Sequence, residues 1–296
     1  MVAEKVGAAG LSVVSNTLLT LLKLGVGLWT GSVAILGEAV HSATDLVAAV
    51  IALFAVRASD APPDEMHPFG HGKFESVSGA LEALLIFGAG AYIVFEAVRA
   101  LIEGAAPHGL GWGMAVMAVS AVVNTVIARH LFAVARRTDS LALAADAHHL
   151  SIDVWTSVGV VVGLLLVRLT GIPFFDPLAA LVIAGFIFRT AYHLTRDAFL
   201  PLTDSVLPPA EVRAVEDVFK DDRRVLGYHK LRTRKAGSQR HIDVHIQVDD
   251  DMSLRAAHAL TEELEDRVRD TLPNTYVTIH TEPYEEELRH HEEVPH

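Results

Sequence analysis

Two stretches of this chain place a histidine four residues before an aspartate inside an otherwise apolar run. They are His41 and Asp45 in SVAILGEAVHSATDLVAAVIALFAV, and His149 and Asp153 in ADAHHLSIDVWTSVG. Four residues are one turn of α-helix, so each pair projects from one face. Glu38 shares the face of the first pair, while Asp146 and His148 sit near the second pair on other faces. An acid in the middle of a bilayer costs on the order of 2.5–3.5 kcal/mol to insert, so its presence needs a reason. Two helices that each offer an imidazole and a carboxylate can assemble four N/O donors, a tetrahedral zinc-like set. The other reading of each pair is an intrahelical hydrogen bond that ties helices together. The same H-x-x-x-D spacing in two apolar runs favours the metal. There is no cysteine, which excludes disulfides and thiolate sites and leaves His, Asp and Glu as ligands.

The elements that must position these residues are membrane helices. The chain has 296 residues and is half apolar, with a mean hydropathy of +0.35. Its apolar residues come in blocks of roughly 20 or more, the length that crosses a bilayer core of about 30 Å. The sequence predicts six spans, at 10–30, 32–56, 76–101, 112–132, 143–169 and 177–200. The first and second are joined by almost nothing around Gly31, the second and third by the polar loop ASDAPPDEMHPFGHGKFE. No secretory signal is visible, because the first block lacks a small-residue cleavage site and runs at full spanning length. Lys5, Arg57, Lys73, Arg129, Arg136, Arg137 and Arg196 fall at one set of span ends, and only Arg99 and Arg168 at the other. That asymmetry predicts a cell-membrane protein with both termini and its soluble part in the cytoplasm. Asn16, Lys23, Glu82, Glu96 and Asn124 read as interhelical contacts or interfacial snorkellers. The net charge of −12, with 36 acids against 24 bases, excludes a nucleic-acid partner, which demands a basic face.

Beyond about residue 204 the composition turns charged and ordinary. Periodicity predicts a helix at 209–221 opened by proline, strands at 228–234 and 240–249 around Ala236-Gly237-Ser238, an amphipathic helix at 254–272 and a strand at 275–281. Alternation in the second strand puts Ile242, Val244, Ile246 and Val248 on one face and His241, Asp243, His245, Gln247 and Asp249 on the other. His229, His258, His280 and Glu282 add further candidate ligands; the other reading is a solvated polar sheet face. The expected division is therefore 1–204 for the membrane part, 205–284 for the soluble part and 285–296 for a charged, disordered tail.

Five motifs in order carry a family resemblance: H-S-A-T-D from His41, H-P-F-G-H-G-K-F-E-S from His67, A-D-A-H-H-L-S-I-D from Ala145, Y-H-K-L-R-T-R from Tyr228 and I-H-T-E-P from Ile279. With these the chain resembles, over essentially its whole length, the cation diffusion facilitator family of divalent metal transporters, of the bacterial zinc, iron and cadmium efflux type. The resemblance implies a mainly α membrane protein of six transmembrane helices with a C-terminal cytoplasmic αββαβ domain, ferredoxin-like or metallochaperone-like. It implies a transport site of His41, Asp45, His149 and Asp153, and a loop site of Asp64, His67 and His71. It implies a regulatory cytoplasmic site of His229, His245, His258, His280 and Glu282 at a dimer interface, and a salt bridge between Lys73 and Asp204. It also implies a homodimer, embedded in lipid, that exchanges cytoplasmic metal for protons. Zinc or another divalent ion would then be both substrate and regulatory ligand.

Some bacterial relatives carry aspartate where this chain has His41, and those accept iron or cadmium as readily as zinc. A His/Asp/His/Asp set fits zinc better than harder ions such as manganese. The rival readings are an exporter of iron, manganese or cobalt, a membrane metalloenzyme, and a metal sensor. The enzyme would need a general base beside an open coordination position, and no H-E-x-x-H or Ser/His/Asp set is present. A sensor has no need of ligands buried in the membrane.

Overall fold

The computed structural model describes residues 2–30, 33–103, 112–172 and 174–285. By contacts the chain falls into two compact units, Met1–Phe199 and Leu200–His296.

The first unit is built of six helices: α1 (Val2–Thr30), α2 (Val33–Ser59), α3 (Lys73–Glu103), α4 (Trp112–Thr138), α5 (Leu141–Thr170) and α6 (Phe175–Leu202). Helices of 27 to 31 residues are about 40–46 Å long at about 1.5 Å per residue, enough to cross a bilayer core. Among the described residues five of the six are long and apolar enough to span. The remaining one, α5, carries the apolar run VWTSVGVVVGLLLV after its polar start. The helices begin or end several residues beyond the expected spans, because polar residues such as Lys73, Glu75 and Arg136 continue them as helix. Hydropathy sees only the part that lipid covers.

Small residues set the packing. Ala8, Ala9, Ala48, Ala49, Ala52, Ala142, Ala145 and Ala147 are buried almost completely, which lets helix backbones approach closely where lipid removes the usual hydrophobic drive. One apolar cluster joins α1, α2, α4 and α5, and another joins α3, α5 and α6. Gly90 lies where α3 crosses α6, and a Cβ there would sit 3.2 Å from Ile187 and Phe188. Leu18, Leu28, Trp29, Phe54, Leu84, Phe95 and Phe186 point outward and exposed, as a surface facing acyl chains requires. The Gly31 connection lies outside the described residues.

The second unit continues with α7 (Pro209–Lys220), β1 (Gly227–Ala236), β2 (Gln239–Val248), α8 (Leu254–Thr271) and β3 (Thr275–Pro283), in the expected αββαβ order. Proline at the start of α7 leaves no orphan N–H there, and Ser253 caps α8 by accepting from the Ala256 N–H at 3.3 Å. Strands β1 and β2 pair antiparallel across the two-residue turn Gly237-Ser238, where Gly237 takes a φ of 60°. β3 then returns parallel to β2, with α8 as the crossover, in the order β1-β2-β3. The buried row Ile242, Val244, Ile246 and Val248 packs against Leu260, Leu264 and Val268 of α8 and Val215 and Phe219 of α7. Register aligns His229 with His245 and His245 with His280, placing three imidazoles side by side on the opposite face. Except for Glu285, the expected tail lies outside the described residues.

Candidate metal centres

The two apolar His–Asp pairs meet crosswise between α2 and α5. His149 Nε2 lies 3.2 Å from Asp45 Oδ1, and His41 Nε2 lies 3.5 Å from Asp153 Oδ1 and 3.9 Å from Asp45 Oδ1. His41, Asp45 and Asp153 each bring a ligand atom within 4.8 Å of the others. Asp45 and His149 are buried, Asp153 is half-buried, and the His41 side chain is 46% exposed at the mouth of the group. Each helix offers one ring nitrogen and one carboxylate from adjacent turns, and the four groups meet where α2 packs on α5. Two carboxylates this close repel in a low-dielectric interior unless a cation lies between them. His149 Nδ1 has no hydrogen-bond partner among the described residues.

Asp146 is a residue whose place the sequence reading missed. It is fully buried one turn before His149, faces the Ser12 hydroxyl of α1, and acts electrostatically on Asp45, Asp153 and His149. The signal was its spacing: three residues before His149 puts it on the same side of α5, not on another face. Of the other intramembrane polar groups, Lys23 makes the interhelical contact expected, donating to Ser42 of α2 at 2.7 Å. Asn16 and Glu82 bond within their own helices, to Ser12 and from Ser78, each at 3.5 Å. Glu96 is half-buried, 4.0 Å from Arg99, and Asn124 is buried.

The loop between α2 and α3 holds a second cluster. Asp64 Oδ1 is 3.2 Å from His67 Nδ1 and its Oδ2 is 3.2 Å from His71 Nε2. The backbone N–H groups of Met66 and His67 donate to Asp64 Oδ1 at 2.9 and 2.6 Å, an Asx-turn that fixes the carboxylate. That bond from His67 holds the Asp64 carboxyl below the ordinary range, against the opposing effect of desolvation. Phe74 stacks on His71, and the His67 and His71 rings sit 4.5 Å apart.

In the second unit Glu282 gathers the imidazole row. His229 Nε2 is 2.8 Å from Glu282 Oε2, His245 Nδ1 is 2.6 Å from Oε1, and His280 Nε2 is 3.5 Å from Oε1. Burial works to raise the Glu282 carboxyl, but the His245 hydrogen bond and the His229 charge outweigh it and hold it low. His258 stands apart on α8, exposed, 3.6 Å from Glu262. Lys73 opens α3 in the first unit, while Asp204 belongs to the second, where it accepts from Arg234 Nη1 at 3.3 Å.

The first unit is thus a bundle of long apolar helices with two His–Asp pairs brought together between α2 and α5. Residues 10–203 match the profile of the cation efflux transmembrane domain and residues 207–284 that of the cation efflux protein cytoplasmic domain. An uncharacterised transporter of Synechocystis sp. is 37% identical over 93% of this chain and 89% of its own length. The cation-efflux pump FieF of Pectobacterium carotovorum is 33% identical, over 86% of this chain and 84% of its own. A metal-bound C-terminal domain of the CzcD transporter from Thermotoga maritima is 28% identical over 26% of this chain and 94% of its own, with a TM-score of 0.25. The chain belongs to the cation diffusion facilitator family, and is a multi-pass divalent-cation efflux transporter rather than an enzyme.

Proposed function

We propose that this transporter exports zinc from the cytoplasm in exchange for protons, with His41, Asp45, His149 and Asp153 as its transport site. The observation that carries the reading is the crosswise approach of the two pairs, His149 to Asp45 at 3.2 Å and His41 to Asp153 at 3.5 Å. Two imidazoles and two carboxylates suit a four-coordinate borderline ion, and the two acids offset its charge. A ligand nitrogen holds either a proton or a metal, so binding expels protons and protons on the far side displace metal.

Asp64, His67 and His71 form a loop metal site in this reading, and His229, His245, His280 and Glu282 a regulatory one. His258 serves that site across a homodimer, since within one copy it faces Glu262. The dimer is supported by the match to the cytoplasmic domain of cation efflux proteins. The cytoplasmic placing of the termini and second unit is supported by the clustering of Lys and Arg at one set of helix ends. The membrane part is 1–204 and the soluble part 205–284 in this reading. The test is uptake into proteoliposomes from a panel of divalent metals, with and without a pH gradient. Zinc uptake that the gradient accelerates is expected. Transport of iron, manganese or cobalt with no zinc flux would overturn the choice of substrate.

A further inference from the structure

Lys5 was read from the sequence as one of the charges at the span ends, yet its side chain is only 2% exposed. Its ammonium donates to Asp60 Oδ1 at 2.7 Å and to Glu75 Oε1 at 3.1 Å. Glu75 is wholly buried and accepts twice more, from Ser59 Oγ at 3.1 Å on Oε1 and from Ser140 Oγ at 2.6 Å on Oε2. One carboxylate thus holds the last residue of α2, the first turn of α3, the start of α1 and the residue that precedes α5.

Such a group is a poor device for stability alone. Taking an ammonium and carboxylates out of water costs several kcal/mol per ion, and a well-packed apolar cluster serves stability as well or better. What a buried, hydrogen-bonded charge cluster does well is fix geometry, because each member has few positions in which all its partners are met. The geometry fixed here is the base of the loop. Asp60 and Glu75 are its two ends and the same ammonium grips both, so the segment between them is closed before any ligand binds. Asp64 lies four residues inside one end and His71 four inside the other.

We infer that Lys5 and Glu75 form a clasp that pre-organises Asp64, His67 and His71, making Lys5 a positioning residue for the loop metal site. The inference rests on the proposal that these three residues bind metal. Closing the loop in advance removes an entropy cost that metal binding would otherwise meet. The transport ligands escape the effect. His149 lies nine residues beyond Ser140, about two and a half turns along a continuous helix.

The experiment is zinc titration calorimetry on the full-length chain in detergent. The binding component lost in His71→Ala reports the loop, and the component lost in Asp45→Asn reports the membrane site. Lys5→Met is expected to weaken the loop component by about tenfold or more and to leave the membrane component unchanged. Lys5→Arg, which keeps a cation that can reach both carboxylates, is expected to recover most of the loss. Should Lys5→Met fail to fold, Glu75→Gln keeps the shape while removing the charge and is expected to weaken the loop component in the same way. Unchanged loop affinity in these variants overturns the clasp. Equal weakening of both components also overturns it, since that marks general loosening of the bundle. If His71→Ala removes no zinc component at all, the loop is not a metal site, and the reading beneath the clasp fails instead.

Discussion

Asp45 and Asp153 are the acids that a divalent ion between α2 and α5 would be neutralised by, and they belong to different helices. In the proposed site neither can substitute for the other, because each also sits against an imidazole of the opposite helix. Asp45→Ala and Asp153→Ala are each expected to cut zinc flux in proteoliposomes by about a hundredfold or more while the protein still inserts. Near-normal flux in either would show that the site lies elsewhere. His41 is the more accessible of the two imidazoles, with its side chain 46% exposed. His41→Asp adds a hard oxygen ligand and a negative charge, so flux of cadmium, iron or manganese relative to zinc should rise. A metal panel that shows an unchanged ratio would place selectivity in the geometry of the other ligands. These four residues were legible in the sequence because helical spacing inside an apolar run is a strong signal. Glu75 was not, because a lone glutamate after a polar loop reads as a solvated charge. Its partner Lys5 lies 70 positions away, and nothing local announces the pairing.

At the scale of the element, Asp222 ties the end of α7 to α8. It accepts from Arg224 at 2.8 and 2.9 Å and from Arg267 of α8 at 3.1 Å, and Arg224 reaches on to Glu263. The hydrogen bonds from Arg224 dominate, against the opposing effect of burial, and draw the Asp222 carboxyl from 3.8 down to about 2. A carboxyl held low in the folded state stabilises the domain above its unfolded value, and that stability is lost as pH falls from about 3.8 to about 2. Thermal unfolding followed by circular dichroism should show this loss, and Asp222→Asn should lower the unfolding temperature at neutral pH while flattening the curve across that window. An unaltered acid limb in the variant would mean that other carboxyls govern it. The secondary structure of this unit was readable almost throughout. Alternation fixes which face of β2 is buried, and the Gly237-Ser238 turn fixes the hairpin. The strand ends were less so: β3 runs on to Pro283, past the expected 281, because Glu282 is held by histidines from three strands, a contact across the sheet that no single strand encodes.

For the whole molecule the question is what drives the metal outward. A bundle that only opened alternately to each side would let zinc equilibrate. Direction requires that something else move the other way through the same ligands. The proposed site has the chemistry for this, because each imidazole nitrogen binds either zinc or a proton, and imidazole titrates near neutrality with an unperturbed value of about 6.5. Under the proposed exchange, zinc would displace protons with the site open to the cytoplasm, protons would displace zinc with it open outward, and the proton gradient would set which sequence prevails. The contrasting case is a uniporter, in which protons do not move. Proteoliposomes loaded with a pH-sensitive dye separate the two. Addition of external zinc should drive proton efflux whose rate follows zinc entry, and both should vanish together in Asp45→Ala. Imposing a pH gradient without zinc should leave the dye signal flat, because protons alone cannot complete the cycle if each must be traded for metal. Zinc entry with no proton counter-movement at any pH from about 6 to 8, the range in which imidazoles change charge, would leave a uniporter and remove the exchange mechanism.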